Sequence, residues 1–361
     1  MSTTPPPATR PVAPSALVDF VADAAGRAGL STDDATTLAA ALVQADTMGV
    51  HTHGTKLLVG YLRKLVAGGY RATARPRVLR EGAGWAVVDG AQALGQIGGS
   101  FAMEIAIAKA RTVGVATVGL RDTGHIGAAG CYALQAARAG LIGLVAGNDM
   151  PSVAAPGSRG AVLGSNPLAW AAPLPDGEPI LLDIATAAVA GGKVYAAVQR
   201  GEPLPQGWLI GPDGLPTTDG SLYPAQAALA PMAGHKGFGF GLLAEILSGV
   251  LSGGTVTRQV GSWMFDPAQE PSRHNAGFIA IDAATIAGPD AYAAAITRLA
   301  AEIRAAPPAV GCDRVRLPGD LEWERRGRAL VDGIDLPEDV RAALRRAVEA
   351  VSAPLPDFLR D

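Results

Sequence analysis

Cysteine is scarce in this chain of 361 residues, which has only Cys131 and Cys312. They are far apart, and neither has a cysteine or histidine at metal-ligand spacing, so the sequence indicates neither a disulfide framework nor a zinc site. Few cysteines favour a reducing compartment, and we expect the protein in the cytoplasm. The Pro- and Thr-rich start has no apolar segment of the kind found in signal peptides, so residues 1–14 are predicted to be a flexible lead.

Long apolar runs and an excess of charge of one sign are also missing. No stretch is apolar for long enough to span a bilayer without a glycine or a charge, so we expect no membrane partner. Charged residues make up 17% of the chain, and the formal net charge is -3, which gives no reason to expect nucleic acid as a partner. Small neutral or anionic metabolites remain as partners.

What the sequence does contain is 48% apolar residues, arranged in two patterns. Residues 15–69 have helical periodicity in three stretches, the first ended by Gly29, the second begun by Ser31 with Asp34 in a capping-box pattern, and the third ended at Gly68. From about Trp85, short β-branched runs alternate with Ala-rich helical patterns, which predicts an α+β (mixed α/β) fold. The predicted strands are 85–88, 113–120, 141–145, 168–172, 180–183, 278–281 and 315–317, and the predicted helices are 101–111, 128–139, 185–199, 238–251, 290–305 and several after 321.

This pattern predicts two structural units. The charged helices after 306 are expected to pack on the N-terminal ones, which gives a helical domain over 15–75 plus 306–361 and an α/β domain over 76–305. The Pro-rich segment between 201 and 232 is predicted to be a long irregular excursion with a functional role.

All five histidines, His51, His53, His125, His235 and His274, lie in Gly-rich or polar junctions. His125 follows a predicted strand and precedes a predicted helix, where unpaired backbone N–H groups and the positive helix end can meet an anionic ligand. A single histidine is more often structural than catalytic, but this shared placement favours function. On an extended chain His51 and His53 would face the same way, yet no third ligand is close in sequence, so we expect no metal.

Three Gly-rich pieces precede helices, at 95–99, 124–130 and 234–239. Each could bring backbone amides to a phosphate, or could serve close packing of a helix on the sheet; none has the Rossmann or P-loop spacing. Lys236 favours an anion at the third piece, because a cation at a helix start opposes the helix dipole. Asp183 ends an apolar strand and could cap the following helix or accept a hydrogen bond from a ligand hydroxyl.

Seven ordered motifs together resemble the type 2 malate/L-lactate dehydrogenase family, over about residues 15–350. They are Thr52-His53-Gly54; Gly124 to Ala128; Pro156-Gly157 with Leu163 to Ala169; Leu182 to Thr186 with Gly192-Lys193; Pro216 to Asp219; His235 to Gly239 with Leu247 to Gly253; and Leu317 to Asp320. Seven motifs in order are far more specific than any one alone.

The resemblance implies an NAD(P)-dependent oxidoreductase that transfers hydride between a nicotinamide and a 2-oxo or 2-hydroxy acid. It implies a non-Rossmann nucleotide-binding domain flanked by helices from both chain ends, and a homodimer. His125 would be the acid/base residue, with a pKa near neutral, and His53 lies in the segment to which some members assign that role. Thr52 and Tyr61 would contact the substrate. The implied cofactor contacts are Asp149, Asn166, Asp183, Ile184, Ala185, Lys236, Gly237 and Asp320; NAD and NADP are not distinguished.

One departure from the family pattern concerns the substrate. Members commonly carry Ser-His-Gly-x-x-Arg, whose arginine suits a substrate carboxylate, but Leu57 occupies that substrate-binding position here. Either Lys56, Arg63, Arg273 or His274 takes over the carboxylate, or the substrate is not a typical 2-oxo acid. The alternative is a cyclic imine reductase, in which the proton goes to nitrogen. An inactive binding protein and a metal hydrolase built on the two histidines of the His-x-His pair are the less favoured hypotheses.

Overall fold

A computed structural model describes residues 10–360. The fold is mixed α/β. Its helices are α1 (Pro14–Arg27), α2 (Thr32–Thr47), α3 (Leu58–Ala67), α4 (Gly95–Val113), α5 (Gly130–Arg138), α6 (Gly191–Gln199), α7 (His235–Glu245), α8 (Ala283–Ala287), α9 (Pro289–Arg304), α10 (Asp320–Asp332) and α11 (Glu338–Ala350). Its strands are β1 (Arg77–Gly82), β2 (Trp85–Asp89), β3 (Val115–Thr123), β4 (Ile142–Gly147), β5 (Val153–Ala154), β6 (Ala161–Leu163), β7 (Leu168–Ala172), β8 (Ile180–Ile184), β9 (Leu209–Ile210), β10 (Pro216–Thr217), β11 (Ala228–Leu229) and β12 (His274–Ile281).

The main sheet has seven strands in the order β1-β2-β3-β12-β4-β7-β8. Only β2 and β3 pair in parallel, and the other neighbours are antiparallel. Because β12 is antiparallel to both β3 and β4, its first residue lies where those two strands end. The end of β8 lies at the same sheet edge, since β7 is antiparallel to both β4 and β8. The ends of β3, β4 and β8 and the start of β12 therefore lie at the same edge of the sheet.

A smaller five-stranded sheet, β10-β9-β11-β5-β6, packs with α6 around a separate apolar cluster. Its strands β9, β10 and β11 fall within residues 201–232, so the prediction of an irregular excursion there was wrong in part. These strands have only two residues each, too short for a hydrophobic period to show in the sequence. The helix predicted at 185–199 starts only at Gly191, after a bridge between Ala187 and Pro231.

The helices from the two chain ends share one apolar core. The predicted stripe of Leu17, Phe20 and Val21 on α1 is buried in it, together with Val340 and Leu344 on α11. α11 packs against α3, and α10 packs against α2. The last helices of the chain therefore lie on the first ones.

The start of α2 has the N-cap that its sequence predicted, but the Asp34 carboxylate accepts from the Ser31 hydroxyl and not from the Ser31 amide, as a full capping box would require. The Ser31 hydroxyl accepts a hydrogen bond from the Asp34 amide, which confirms Ser31 as the N-cap. The same hydroxyl donates to the Asp34 carboxylate at 2.8 Å. One free N–H group at the helix start is satisfied in this way.

The predicted flexible lead, residues 1–14, lies outside the described residues over its first nine positions. Its described end is part of the fold, because Val12 exchanges backbone hydrogen bonds of 2.9 and 2.8 Å with Ile334 and is buried. Among residues 10–360, no helix combines the length and the apolar character needed to cross a bilayer.

Two strand predictions need correction. The strand predicted at 315–317 is a loop, in which Arg316 pairs with Asp313 and Glu324 instead of joining a ladder. Strand β1 was not predicted, because the side chains of β1 are exposed or only partly buried and show no apolar alternation. Helix α4 also begins six residues before the predicted start, at Gly95.

Candidate active site

Histidine and carboxylate side chains meet at the edge of the main sheet where β3, β4 and β8 end. His125 follows β3, Asp149 follows β4, Asp183 lies at the end of β8, and His274 begins β12. Antiparallel pairing of β12 with its neighbours brings its first residue to the ends of the other strands. The ring centroids of His125 and His274 are 5.6 Å apart.

His125 is held from several sides. Its Nδ1 lies 2.8 Å from the Tyr61 hydroxyl, and its backbone N–H donates to the Tyr70 hydroxyl at 3.2 Å. The ring stacks on Trp263, with centroids 4.9 Å apart and planes at 18°. Within residues 10–360 its Nε2 has no hydrogen-bond partner. One ring nitrogen is therefore anchored and the other is available to a ligand.

The pKa of His125 lies far below neutral, whereas the sequence predicted a value near neutral. Burial, together with the nearby imidazoles of His274 and His53, lowers it to about 3 against the opposing charge of Asp149. Desolvation disfavours the charged imidazolium, so the unliganded protein holds a neutral His125 at physiological pH. A neutral imidazole is ready to accept a proton.

A chain of hydrogen bonds connects His125 to Asp149. The Tyr70 hydroxyl accepts from the His125 amide and lies 3.0 Å from the Ser272 hydroxyl, which lies 2.9 Å from His274 Nδ1. His274 Nε2 lies 3.0 Å from the Asp149 carboxylate. Because a carboxylate only accepts, Nε2 carries a proton, and the hydroxyls can each donate towards Nδ1. This chain orients the His274 ring.

Asp149 remains ionised in this arrangement. Burial would raise the pKa of its carboxyl group, but the hydrogen bond from His274 and the nearby imidazoles of His274 and His125 outweigh that effect and lower it. The Met150 amide also donates to this carboxylate, at 2.8 Å. Asp149 therefore supplies a negative charge beside two imidazoles.

The segment with His51 and His53 is a 3-10 helix and not an extended chain. The two side chains consequently do not face the same way, and each has its own partner. His51 Nδ1 lies 2.8 Å from the buried Asp46 carboxylate, and His53 Nδ1 lies 3.1 Å from the Thr52 hydroxyl. In the part of the chain that the structure describes, no three potential ligands converge as a metal site would require.

His53 and Asp183 act on each other through their charges beside His125. The ring centroids of His53 and His125 are 6.1 Å apart. Burial lowers the pKa of His53, while the negative charges of Asp183 and Asp149 oppose that shift. Burial raises the pKa of Asp183, opposed by a hydrogen bond from the Gly130 amide and by His53. Both groups therefore favour their neutral forms more than they would in water.

Asp183 does not cap the helix that follows it in the chain. Its carboxylate accepts instead from the Gly130 amide at 2.7 Å, at the start of α5. Gly130 ends the Gly-rich piece at 124–130, and this piece packs closely on the one at 95–99, because a side chain at Gly95 would overlap the backbone of Gly124 and His125. Close packing thus accounts for both pieces.

The third Gly-rich piece suits an anion. α7 starts there with no side-chain cap on its free N–H groups, and Lys236 in its first turn is exposed and has no ion-pair partner within residues 10–360. The Met232 amide donates to the Thr186 carbonyl at 2.9 Å, so this helix start lies beside the Asp183–Thr186 segment. Ile184, Ala185 and Gly237 belong to the same region. A dinucleotide phosphate fits this donor set.

A buried hydrogen-bond network holds the backbone at Asp149. Asn166 Oδ1 accepts from the Asp149 amide at 3.2 Å, and its Nδ2 donates to the buried Glu245 carboxylate at 2.7 Å. Glu245 also accepts from Asn148 and from the Thr257 amide. Asn166 is fully buried, so it positions the segment around Asp149 and offers no surface to a ligand.

Several predicted substrate contacts are buried or have other partners. Leu57 and Tyr61 are buried, because they belong to the apolar stripe with which α3 and the residues before it face the helical core. Lys56 pairs with Asp339 of α11 at 2.6 Å. The charge of Arg273 acts on Asp122, whose pKa it lowers against the effect of burial.

Asp320, a predicted cofactor contact, already has two partners within the protein. Its carboxylate pairs with Arg304 at 2.6 Å and accepts from the Leu317 amide at 2.8 Å, at the start of α10. Both contacts hold the turn that leads into this helix.

Sequence reasoning missed the residues that support His125. Trp263, Tyr70 and Ser272 come from different segments and belong to no motif that marks them, and Gln96 lies in the Gly-rich piece at 95–99, where only the glycines were noted. Trp263 lies on a loop that the buried Lys64 holds, through hydrogen bonds to the carbonyls of Pro267 and Glu270 at 3.0 and 2.7 Å.

Comparisons with known proteins identify the family. The family model described as malate/L-lactate dehydrogenase matches residues 12–345. The chain is 35% identical over 314 residues to ureidoglycolate dehydrogenase (NAD(+)) of Escherichia coli strain K12, covering 87% of this chain and 89% of that protein. It is 36% identical over 245 residues to a delta(1)-pyrroline-2-carboxylate/delta(1)-piperideine-2-carboxylate reductase of Pseudomonas putida, covering 68% and 70%.

Among solved structures, malate dehydrogenase from Pyrococcus horikoshii OT3 superposes with a TM-score of 0.87 at 32% sequence identity, covering 98% of this chain and 99% of that one. The match spans both the helical core and the sheets. The chain therefore belongs to the malate/L-lactate dehydrogenase family and is an oxidoreductase.

Proposed function

We propose that this enzyme transfers hydride between a nicotinamide cofactor, NAD or NADP, and the second carbon of a 2-hydroxy or 2-oxo acid, with His125 as the acid–base residue. One observation carries the proposal: the Tyr61 hydroxyl holds His125 Nδ1, while Nε2 has no partner among the described residues. A half-buried imidazole with one free nitrogen is suited to proton exchange with a substrate oxygen.

In the oxidation direction, the hydroxyl proton of the substrate moves to Nε2 of His125 as the C–H bond breaks. In reduction, the imidazolium returns that proton to the carbonyl oxygen. The nicotinamide, when bound, accepts or supplies the hydride. Asp149 stabilises the imidazolium through its negative charge, which raises the pKa of His125 against the effect of burial.

We assign the cofactor phosphates to the start of α7, with Lys236 as the cation, and the neighbouring Asp183–Ala185 segment to the rest of the cofactor. The exposed, unpaired ammonium at a helix start supports this assignment, since only an anion offsets its repulsion by the helix dipole. Gly237 permits the close turn there, because a side chain would overlap the Met232 carbonyl.

Of the four predicted basic residues, none offers a free cation to a substrate carboxylate beside His125. Lys56 is paired with Asp339, Arg63 is on the outer face of α3 beside Arg346, and Arg273 lies near Asp122. His274 alone of these four lies next to His125. Its side chain is 1% exposed and both of its ring nitrogens already have partners, so it has no free donor for a carboxylate.

Similarity to the reductase of Pseudomonas putida supports a second candidate, a cyclic imine reductase. His53, whose ring centroid lies 6.1 Å from that of His125, is a second imidazole suited to proton exchange with a ring nitrogen. A screen with NADH and with NADPH against 2-oxo acids and cyclic imines separates the two candidates. Turnover of oxo acids alone supports the main proposal, turnover of imines alone supports the second, and turnover of neither contradicts both.

The low pKa of His125 predicts an unusual pH dependence. From about pH 5.5 to pH 8 we expect kcat/KM for oxidation to be flat, because the base is already deprotonated, and kcat/KM for reduction to fall about tenfold per pH unit, because the imidazolium becomes rarer. Steady-state rates in both directions test this. Oxidation that instead rises tenfold per unit up to neutral pH would contradict a pKa of about 3.

We also propose a homodimer, through the apolar face of α7 and the π-helical turn after it. Phe240 and Val250 are 52% and 59% exposed there, and Leu243, Ile246 and Leu251 are exposed beside them. Helices that are apolar all round are buried in the native state. Phe240→Glu with Val250→Glu is expected to halve the mass measured by light scattering, whereas Val331→Glu, exposed on α10, should not. A monomeric parent would contradict the proposal.

We place the enzyme in the cytoplasm, because its two cysteines are both free thiols. We keep the division into a helical domain, residues 15–75 plus 306–361, and an α/β domain, residues 76–305, since the shared core of α1–α3 and α11 supports it.

A further inference from the structure

We infer that Tyr61 and Gln96 are positioning residues that hold the Nδ1 proton of His125, so that the lone pair of Nε2 faces the substrate. The inference rests on the proposed role of His125 in hydride transfer. It assigns to Tyr61 a task different from the substrate contact expected from the sequence, and it gives Gln96 a function.

The two side chains form a closed unit behind His125. Tyr61 is fully buried and Gln96 is 1% exposed. The Tyr61 hydroxyl lies 2.8 Å from His125 Nδ1 and 3.2 Å from the Gln96 amide nitrogen. Neither side chain can reach a ligand in the cleft, so any effect on catalysis must pass through His125.

The Tyr61 hydroxyl has one proton, and its direction determines the tautomer of His125. Burial raises the pKa of Tyr61 well above its usual value, so the hydroxyl remains protonated. If the hydroxyl donates to Nδ1, the imidazole proton must lie on Nε2, and His125 cannot accept a proton from an alcohol. If the hydroxyl donates to Gln96, it accepts from Nδ1–H and leaves Nε2 with a lone pair.

Gln96 can support the second arrangement once its amide, whose nitrogen now faces the Tyr61 hydroxyl, is turned over. Its Oε1 is the one buried side-chain polar atom within residues 10–360 that has no hydrogen-bond partner. Rotation of the terminal amide by about 180° exchanges Oε1 and Nε2, which are nearly equivalent in shape. Oε1 then accepts from the Tyr61 hydroxyl, and the hydroxyl oxygen accepts from His125 Nδ1. The amide nitrogen then takes the unpartnered position of Oε1, and the base acquires the tautomer that oxidation needs.

The tautomer can be measured without substrate, by NMR of protein labelled with ¹⁵N in histidine. The chain has five histidines, and His125→Asn identifies the signals of His125. At neutral pH we expect the parent to carry its proton on Nδ1. Tyr61→Phe removes the acceptor of that proton, and Gln96→Met removes the acceptor of the tyrosine hydroxyl. Both variants should move the proton to Nε2.

Tyr132→Phe is the matched control, because Tyr132 is also buried and its hydroxyl donates to a backbone carbonyl, that of Ile126. It should lose stability without changing the tautomer. A parent with the proton on Nε2, or a tautomer unchanged in Gln96→Met, would overturn the inference. Gln96→Met also keeps the test open if Tyr61→Phe does not fold.

Activity provides a second measure. In Tyr61→Phe and Gln96→Met we expect kcat to fall by about ten- to a hundredfold while the affinity for the nicotinamide is unchanged. At a fixed pH, kcat/KM must fall by the same factor in both directions, because the equilibrium constant of the reaction does not change. An inactive parent with the expected tautomers would contradict the proposed function alone, whereas an active parent with unchanged variants would contradict this inference alone.

Discussion

His125→Asn is expected to lower kcat by about 10²- to 10⁴-fold, the usual contribution of a general acid–base group. Asparagine keeps the size and polarity of the side chain but cannot exchange a proton at the position of Nε2. Affinity for the nicotinamide should remain, since the assigned cofactor residues lie at the start of α7 and the end of β8. Steady-state kinetics and quenching of protein fluorescence measure the two properties.

His53→Asn is the comparison for that experiment, because His53 is the neighbouring imidazole with a perturbed pKa. If His53→Asn abolishes turnover of an oxo acid while His125→Asn retains it, the roles are reversed. Loss of activity in both variants, with the larger loss at His125, supports the assignment. Thermal unfolding of each variant shows whether the loss is due to folding.

Trp263→Ala is expected to lower the free energy of unfolding by about 3–5 kcal/mol, the usual cost of truncating a large buried aromatic side chain. Trp263 is 7% exposed, and its ring stacks on His125 and lies 5.1 Å from that of Tyr61. A side chain at Gly60 would overlap this ring, so the packing is close on that side as well. Urea denaturation measures the change.

Trp263→Phe is the matched variant, since it retains an aromatic ring over His125. It should cost much less stability than alanine and should keep most of the activity, whereas Trp263→Ala should also lower kcat because the imidazole loses its stacking partner. Equal stability of the alanine variant and the parent would show that the loop carrying Trp263 does not cover the site in solution.

Local sequence patterns were sufficient to predict the helices that have one apolar face. Leu17, Phe20 and Val21 recur with helical spacing on α1, and Ser31 marks the start of α2, because periodicity and capping act within a few residues of the chain. The junction of His125 was also predictable, since a β-branched run before it and small residues after it signal a strand followed by a helix.

The sequence alone also determined the family, because ordered motifs do not depend on knowing the fold. It could not determine which residues surround His125. Tyr61, Gln96, Trp263 and His274 come from α3, α4, a loop and β12, and only the packing of these elements brings them together. Long-range contacts of this kind leave no periodic signal in the chain.

Tertiary structure also decided the outcome for Leu57 and the pKa of His125. The sequence placed Leu57 at the position of a carboxylate-binding arginine, but the helical core buries it. His125 was expected to titrate near neutral pH, but burial and two neighbouring imidazoles lower its pKa to about 3. Burial depends on the whole fold, so the sequence determined which residue carries the chemistry, and the tertiary structure decided its protonation state.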